Sequence, residues 1–150
     1  MDASHSPAPD RPTSDRRAQP READRARADR AELAERIAAA VPEDGRAEPV
    51  PGLFLIRAST PRVPFYAVVR PCFCVIAQGA KVLRLGAADY RYDPFNYLLV
   101  SADLPVVGHV VEASREEPYL GLRLDLDSAV VSQVMVEAGG VAPSGGAERR

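Results

Sequence analysis

A chain of 150 residues with 46% hydrophobic and 27% charged side chains has the make-up of an ordinary soluble globular protein, long enough to bury one core. Its formal charge of −2 argues against a general electrostatic grip on nucleic acid, which needs a concentrated basic face. No apolar run approaches the roughly 20 residues of a bilayer span, and neither a secretory leader nor a twin-arginine signal around Arg16-Arg17 is legible, so the expected compartment is the cytoplasm.

Residues 1–27 mix Pro, Ser, Asp and Arg with hardly an apolar side chain. Such a stretch cannot bury enough surface to offset its ordering entropy, and it reads as a disordered, solvated tail. The following "DRAELAERIAAAVPEDG" has helical spacing: Leu33, Ile37 and Val41 share one stripe, and Pro42 with Gly45 end the element. Asp29 and Glu32 have the spacing of a capping box and predict that the helix starts there. It reads as a helix packed on the outside of the domain.

From Gly52 to Asp127 the period changes to two. Eight short segments, "LFLIRAS", "FYAVV", "CFCVIAQ", "KVLRL", "ADYRYD", "NYLLVS", "VVGHVVEA" and "YLGLRLDLD", are separated by Pro, Gly, Asp and Ser. The last alternates most cleanly, with Leu120, Leu122, Leu124 and Leu126 on one face and Gly121, Arg123 and Asp125 on the other. About eight such strands joined by tight turns predict a mainly β sandwich or barrel. Charges set the register of the hairpin at Gly86-Ala87. A two-residue loop pairs Arg84 with Asp89, Leu83 with Tyr90 and Lys81 with Tyr92, whereas a four-residue loop opposes Arg84 to Arg91. Asp93-Pro94 then opens the next turn.

After the strands, "DSAVVSQVMVEAGG" predicts a second helix. Asp127 is its N-cap, Val130, Val134 and Met135 share a stripe, and Gly139-Gly140 stop it. Residues 139–150 read as a polar tail.

The chain offers little to catalysis. Cys72 and Cys74 lie two apart on a strand, roughly 6.5 Å from each other with parallel side chains, so they read as reduced, packed thiols. A metal-binding barrel needs clustered histidines, and only His5 and His109 exist, so no metal or other cofactor is expected. No nucleophile sits in an elbow context and no phosphate-binding glycine loop is present, which argues against an enzyme. What remains is a pocket. Small barrels hold small molecules among apolar side chains with a few polar groups for orientation. Lys81, Tyr66, Tyr90, Tyr92, Tyr97 and His109 are the candidate ligand contacts. Lys81 stands out as the single lysine in a chain whose other basic side chains are all arginine, placed on an otherwise apolar face.

The stretch "CVIAQGAKVLRLGAADYRYDPFNYLLVSADLPVVGHVVEASREEPYLGLRLDLD" resembles the N-terminal regulatory domain of AraC-type transcription regulators. The resemblance rests on a "QG-K" turn, a "Y-YD" strand end, "YLLVS-DLP" and "EAS-EEPYL-L-L-LD", in order, and implies a domain over residues 28–138. It implies a cupin-like β-barrel with flanking helices that senses a small-molecule effector or dimerises. Gln78, Gly79, Lys81, Tyr92, Asp93, Asp103, Pro105, Glu112, Pro118 and Tyr119 carry the match, and read first as fold determinants. In the wider family such a domain precedes paired helix-turn-helix motifs, which have no counterpart here. The expectation is therefore a regulatory domain truncated before its DNA-binding half, with no direct DNA binding and no membrane association. It would act as a homodimer or a mixed dimer with full-length relatives. The alternatives are a stand-alone small-molecule-binding cupin and a plain oligomerisation module without ligand.

Overall fold

The computed structural model describes residues 18–139. The expected tails lie outside these residues up to residue 17 and beyond Gly139. Helix α1 runs Ala18–Ala40, so it begins well before Asp29. This corrects two expectations: residues 18–27 are helical, and Asp29 and Glu32 lie inside the helix and cap nothing. The Arg-, Ala- and Glu-rich composition is the reason, since these are strong helix formers, and Pro20 falls in the first turn, where its missing N–H costs little. Glu32 instead pairs with Arg36 one turn on, at 2.7 Å.

Nine strands follow: β1 (Gly45–Val50), β2 (Leu53–Ala58), β3 (Phe65–Val69), β4 (Cys72–Gln78), β5 (Ala80–Leu85), β6 (Ala88–Tyr92), β7 (Leu98–Val100), β8 (Leu104–Glu112) and β9 (Tyr119–Asp125). Helix α2 (Ser128–Glu137) closes the described chain. All eight expected strands are present. The additional β1, "GRAEPV", has no apolar alternation; it is an edge strand, where Pro49 removes no interior ladder bond. Two antiparallel sheets result, ordered β1-β2-β9-β4-β7 and β3-β8-β5-β6. The β5–β6 hairpin has the register set by its charges: Lys81 opposes Tyr92, Leu83 opposes Tyr90, and Arg84 opposes Asp89. Its guanidinium donates to both Asp89 oxygens, at 2.6 and 2.9 Å. Asp93 builds the following turn, its carboxylate accepting from the Phe95 N–H and its carbonyl from the Asn96 N–H.

The core lies between the sheets. Ala58, Cys72, Cys74, Ile76, Leu83, Tyr92, Val106, Val110 and Tyr119 meet there. A second cluster lies outside, where Ile37 of α1 packs on Ala77 and Leu120, with Leu33, Leu55 and Leu122 around it. The leucine face of β9 thus turns outward beneath α1, while Tyr119, Gly121 and Arg123 face the barrel. Gly121 leaves room there for the Tyr119 ring, since a Cβ would stand 2.5 Å from its hydroxyl and force it to shift. Gly79, in the β4–β5 turn, has φ +84°, and a Cβ would meet the Glu112 carbonyl at 2.5 Å. Gln78 fastens the same corner by donating from Nε2 to the Pro118 carbonyl at 2.8 Å.

Candidate ligand cavity at the barrel mouth

The inward faces of β1, β2, β3, β5, β8 and β9 converge on a cavity of about 370 Å3 at one end of the barrel. Its apolar wall is Ile56, Ala58, Phe65 and Val110, with Tyr119 at its base. Alternation on each strand decides these positions: Lys81 opposes Val110 across β5–β8, and Phe65 opposes Gly108 across β3–β8, so all point inward.

The polar lining is cationic. Lys81 and Arg123 are half-buried, while Arg46 and Arg62 stand exposed at the rim. The Lys81 ammonium lies 5.3 Å from the centroid of the Phe65 ring, within cation–π range. Desolvation holds its pKa below the usual lysine value, and the positive charges of Arg123 and Arg62 push the same way. Arg123 donates to Asp125 at 2.8 Å. Arg46 stacks over Phe54 at 4.8 Å. Among the described residues, Arg46, Arg62 and Lys81 form no ion pair, and no carboxylate lines the cavity. Such a wall lacks the donors that a metal ion needs.

Behind the cavity the interior is sealed. Cys72 and Cys74 stand side by side, Sγ to Sγ 3.8 Å, buried and unbridged. Burial pushes the Cys74 thiol up to about 12, with Cys72 adding to the shift, which disfavours a thiolate at that position. Burial likewise raises Tyr92 far above the phenol range, Tyr119 contributing next.

The six residues singled out from the sequence are dispersed. Lys81 lines the cavity. Tyr92, its cross-strand neighbour, is buried in the core. Tyr90 lies at the far end of the barrel, beside a smaller apolar space of about 180 Å3 lined by Leu83, Leu85, Leu98, Val100 and Leu104. Tyr66 projects from the outer face of β3 and is 88% exposed. Tyr97 lies against Phe73, ring centroids 5.5 Å apart, on the outside of the larger sheet. His109 sits on the outer face of β8 opposite Val82, its Nδ1 buried without a partner. Sequence reasoning did not find Arg46, Arg62 or Arg123. The alternation of β9 carried the signal for Arg123, but its uninterrupted leucine face drew attention to the opposite side.

The chain belongs to the family of AraC-type transcriptional regulator N-termini, whose family model matches residues 49–149. Membership implies a regulatory role in transcription. No curated protein matches the chain. Among solved structures, it is similar to a cupin-2 domain-containing protein from Shewanella frigidimarina, at 5% identity and a TM-score of 0.41, covering 59% of this chain and 87% of that one. A cupin protein from Bacteroides fragilis is similar at 17% identity and a TM-score of 0.39, covering 59% and 82%. A Photorhabdus luminescens protein is similar at 12% identity and a TM-score of 0.38, covering 63% and 82%.

Proposed function

We propose that residues 28–138 form the effector-sensing and dimerisation domain of an AraC-type transcription regulator acting in the cytoplasm. The observation that carries this reading is the family match over residues 49–149. The barrel-mouth cavity is the effector site in this reading, with Lys81 as a ligand contact, and its size falls within the roughly 300–1,000 Å3 of small-molecule pockets. Helix α2 is the dimerisation element: Val130, Val131, Val134, Met135 and Val136 are all exposed, and none of the helix's residues is buried among the described residues. A second copy presenting the same stripe would cover them, and a longer relative could pair through the same face.

Sedimentation equilibrium of the purified chain, combined with thermal unfolding across a metabolite panel, tests both parts. Self-association is expected, together with at least one compound that stabilises the fold by roughly 2.7 kcal/mol at a hundred times its dissociation constant. A chain that stays monomeric at high concentration and answers to no compound in the panel would overturn the reading.

A further inference from the structure

We propose that the cavity takes a small organic carboxylate: one anionic group on a compact apolar body. This rests on the barrel-mouth cavity being the effector site and adds the chemistry of what enters it. Four side chains of one sign converge on a space with no carboxylate in its lining. Two carboxylates stand nearby, and both are engaged. Asp125 accepts from Arg123, and Asp44 accepts from the Ser59 hydroxyl and backbone N–H, within the field of Arg62 and Arg57. Among the described residues, Lys81 is left half-buried against Phe65 with no anion paired to its charge. An uncompensated, partly desolvated ammonium is unfavourable in the empty site, and an incoming anion offsets that cost. Binding therefore gains more here than it would at an exposed lysine.

The shape of the lining narrows the class further. Ile56, Ala58, Phe65 and Val110 give an apolar surface that a bare inorganic anion would leave uncovered. A carboxylate head against Lys81, with Arg46 and Arg62 at the mouth, lets an aryl or short alkyl body lie on those four side chains. The rim guanidiniums steer anions towards the mouth, so the association rate falls as salt rises.

Titration of the full chain with benzoate and hexanoate, each beside its neutral amide, and with inorganic phosphate tests the inference by calorimetry and thermal shift. Saturable binding of a carboxylate is expected, with its amide at least about tenfold weaker, as is usual when a charge-assisted hydrogen bond is lost. Lys81→Met should weaken the carboxylate by a similar factor while leaving the melting temperature unchanged or raised, which separates lost binding from lost folding. Equal binding of acid and amide would overturn the carboxylate assignment and leave the effector-sensing reading standing. Phosphate binding as well as the organic acids would overturn the apolar part. If neither acid nor phosphate bound, the inference would fall, and a wider panel of neutral compounds, sugars included, would decide whether effector sensing falls with it.

Discussion

Helices α1 and α2 carry comparable apolar stripes, Leu33–Ile37 continued by Val41 just past the end of α1, and Val130–Val134–Met135 on α2, and the fold treats them differently. Ile37 is 1% exposed and Val41 5%, whereas Val134 and Met135 are each more than half exposed. The difference lies in what stands opposite. Against α1 the larger sheet turns Leu55, Ala77, Leu120 and Leu122, a matching apolar face. Among the described residues none closes over α2, and Val130 borders a groove with Pro51 and Leu124. An apolar stripe at helical spacing therefore announces that a partner surface exists, but not on which molecule.

The comparison breaks most readily at Ile37. Ile37→Ala removes a fully buried side chain from a small cluster and should cost about 3 kcal/mol, within the usual range for such truncations. Urea unfolding at fixed protein concentration measures it. Because α1 is held by its own chain, the dissociation constant of any dimer should not change. Loss of self-association without loss of fold stability would place α1, not α2, at the interface.

The opposite signature is expected from Val134→Asp. Its side chain is exposed on the isolated chain, so barrel stability should stay within about 0.5 kcal/mol of the parent. Placing a carboxylate in an apolar contact forfeits the burial of a valine and adds desolvation, which should weaken self-association by at least about tenfold. Sedimentation equilibrium reads this directly. An unchanged dissociation constant would mean that the exposed stripe is not the contact surface.

Much of this architecture was legible because local chemistry and the fold agree. Charge pairing gave the β5–β6 register, Asp93 gave its turn, and Asp127 gave the start of α2. Misreadings arose where two signals competed. Asp29 and Glu32 have capping-box spacing, yet helix propensity in the residues before them carries α1 back to Ala18. The composition of "GRAEPV" hides β1, because an edge strand needs neither an apolar face nor a complete set of N–H donors. The site was legible only at Lys81. Arg46, Arg62 and Arg123 come from strands and a loop distant in sequence, and only the pairing of β1 with β2 and of β2 with β9 brings two of them to one mouth. No local spacing encodes such a convergence. Tyr66 and His109 illustrate the converse: polar aromatic character marks amphipathic positions, and half the positions on any strand face away from the interior.

Asp127 offers the smallest test and the most local. Its carboxylate caps α2, accepting from the Ala129 N–H at 2.8 Å and from Val130 at 3.4 Å. Replacing such a cap by alanine costs about 1 kcal/mol of helix stability. In α1 a loss of that size would be shared with the sheet beneath and would lower the unfolding midpoint. In α2 there is no such support, so Asp127→Ala should fray the helix alone: amides of its interior turns should exchange several-fold faster in dilute protein, while the barrel's unfolding midpoint holds. At concentrations that favour self-association the partner copy should restore much of the protection, because helix formation and pairing are then coupled. If protection instead fell throughout β9 and β4 as well, α2 would be cooperative with the barrel, and the contrast between the two helices would be one of degree.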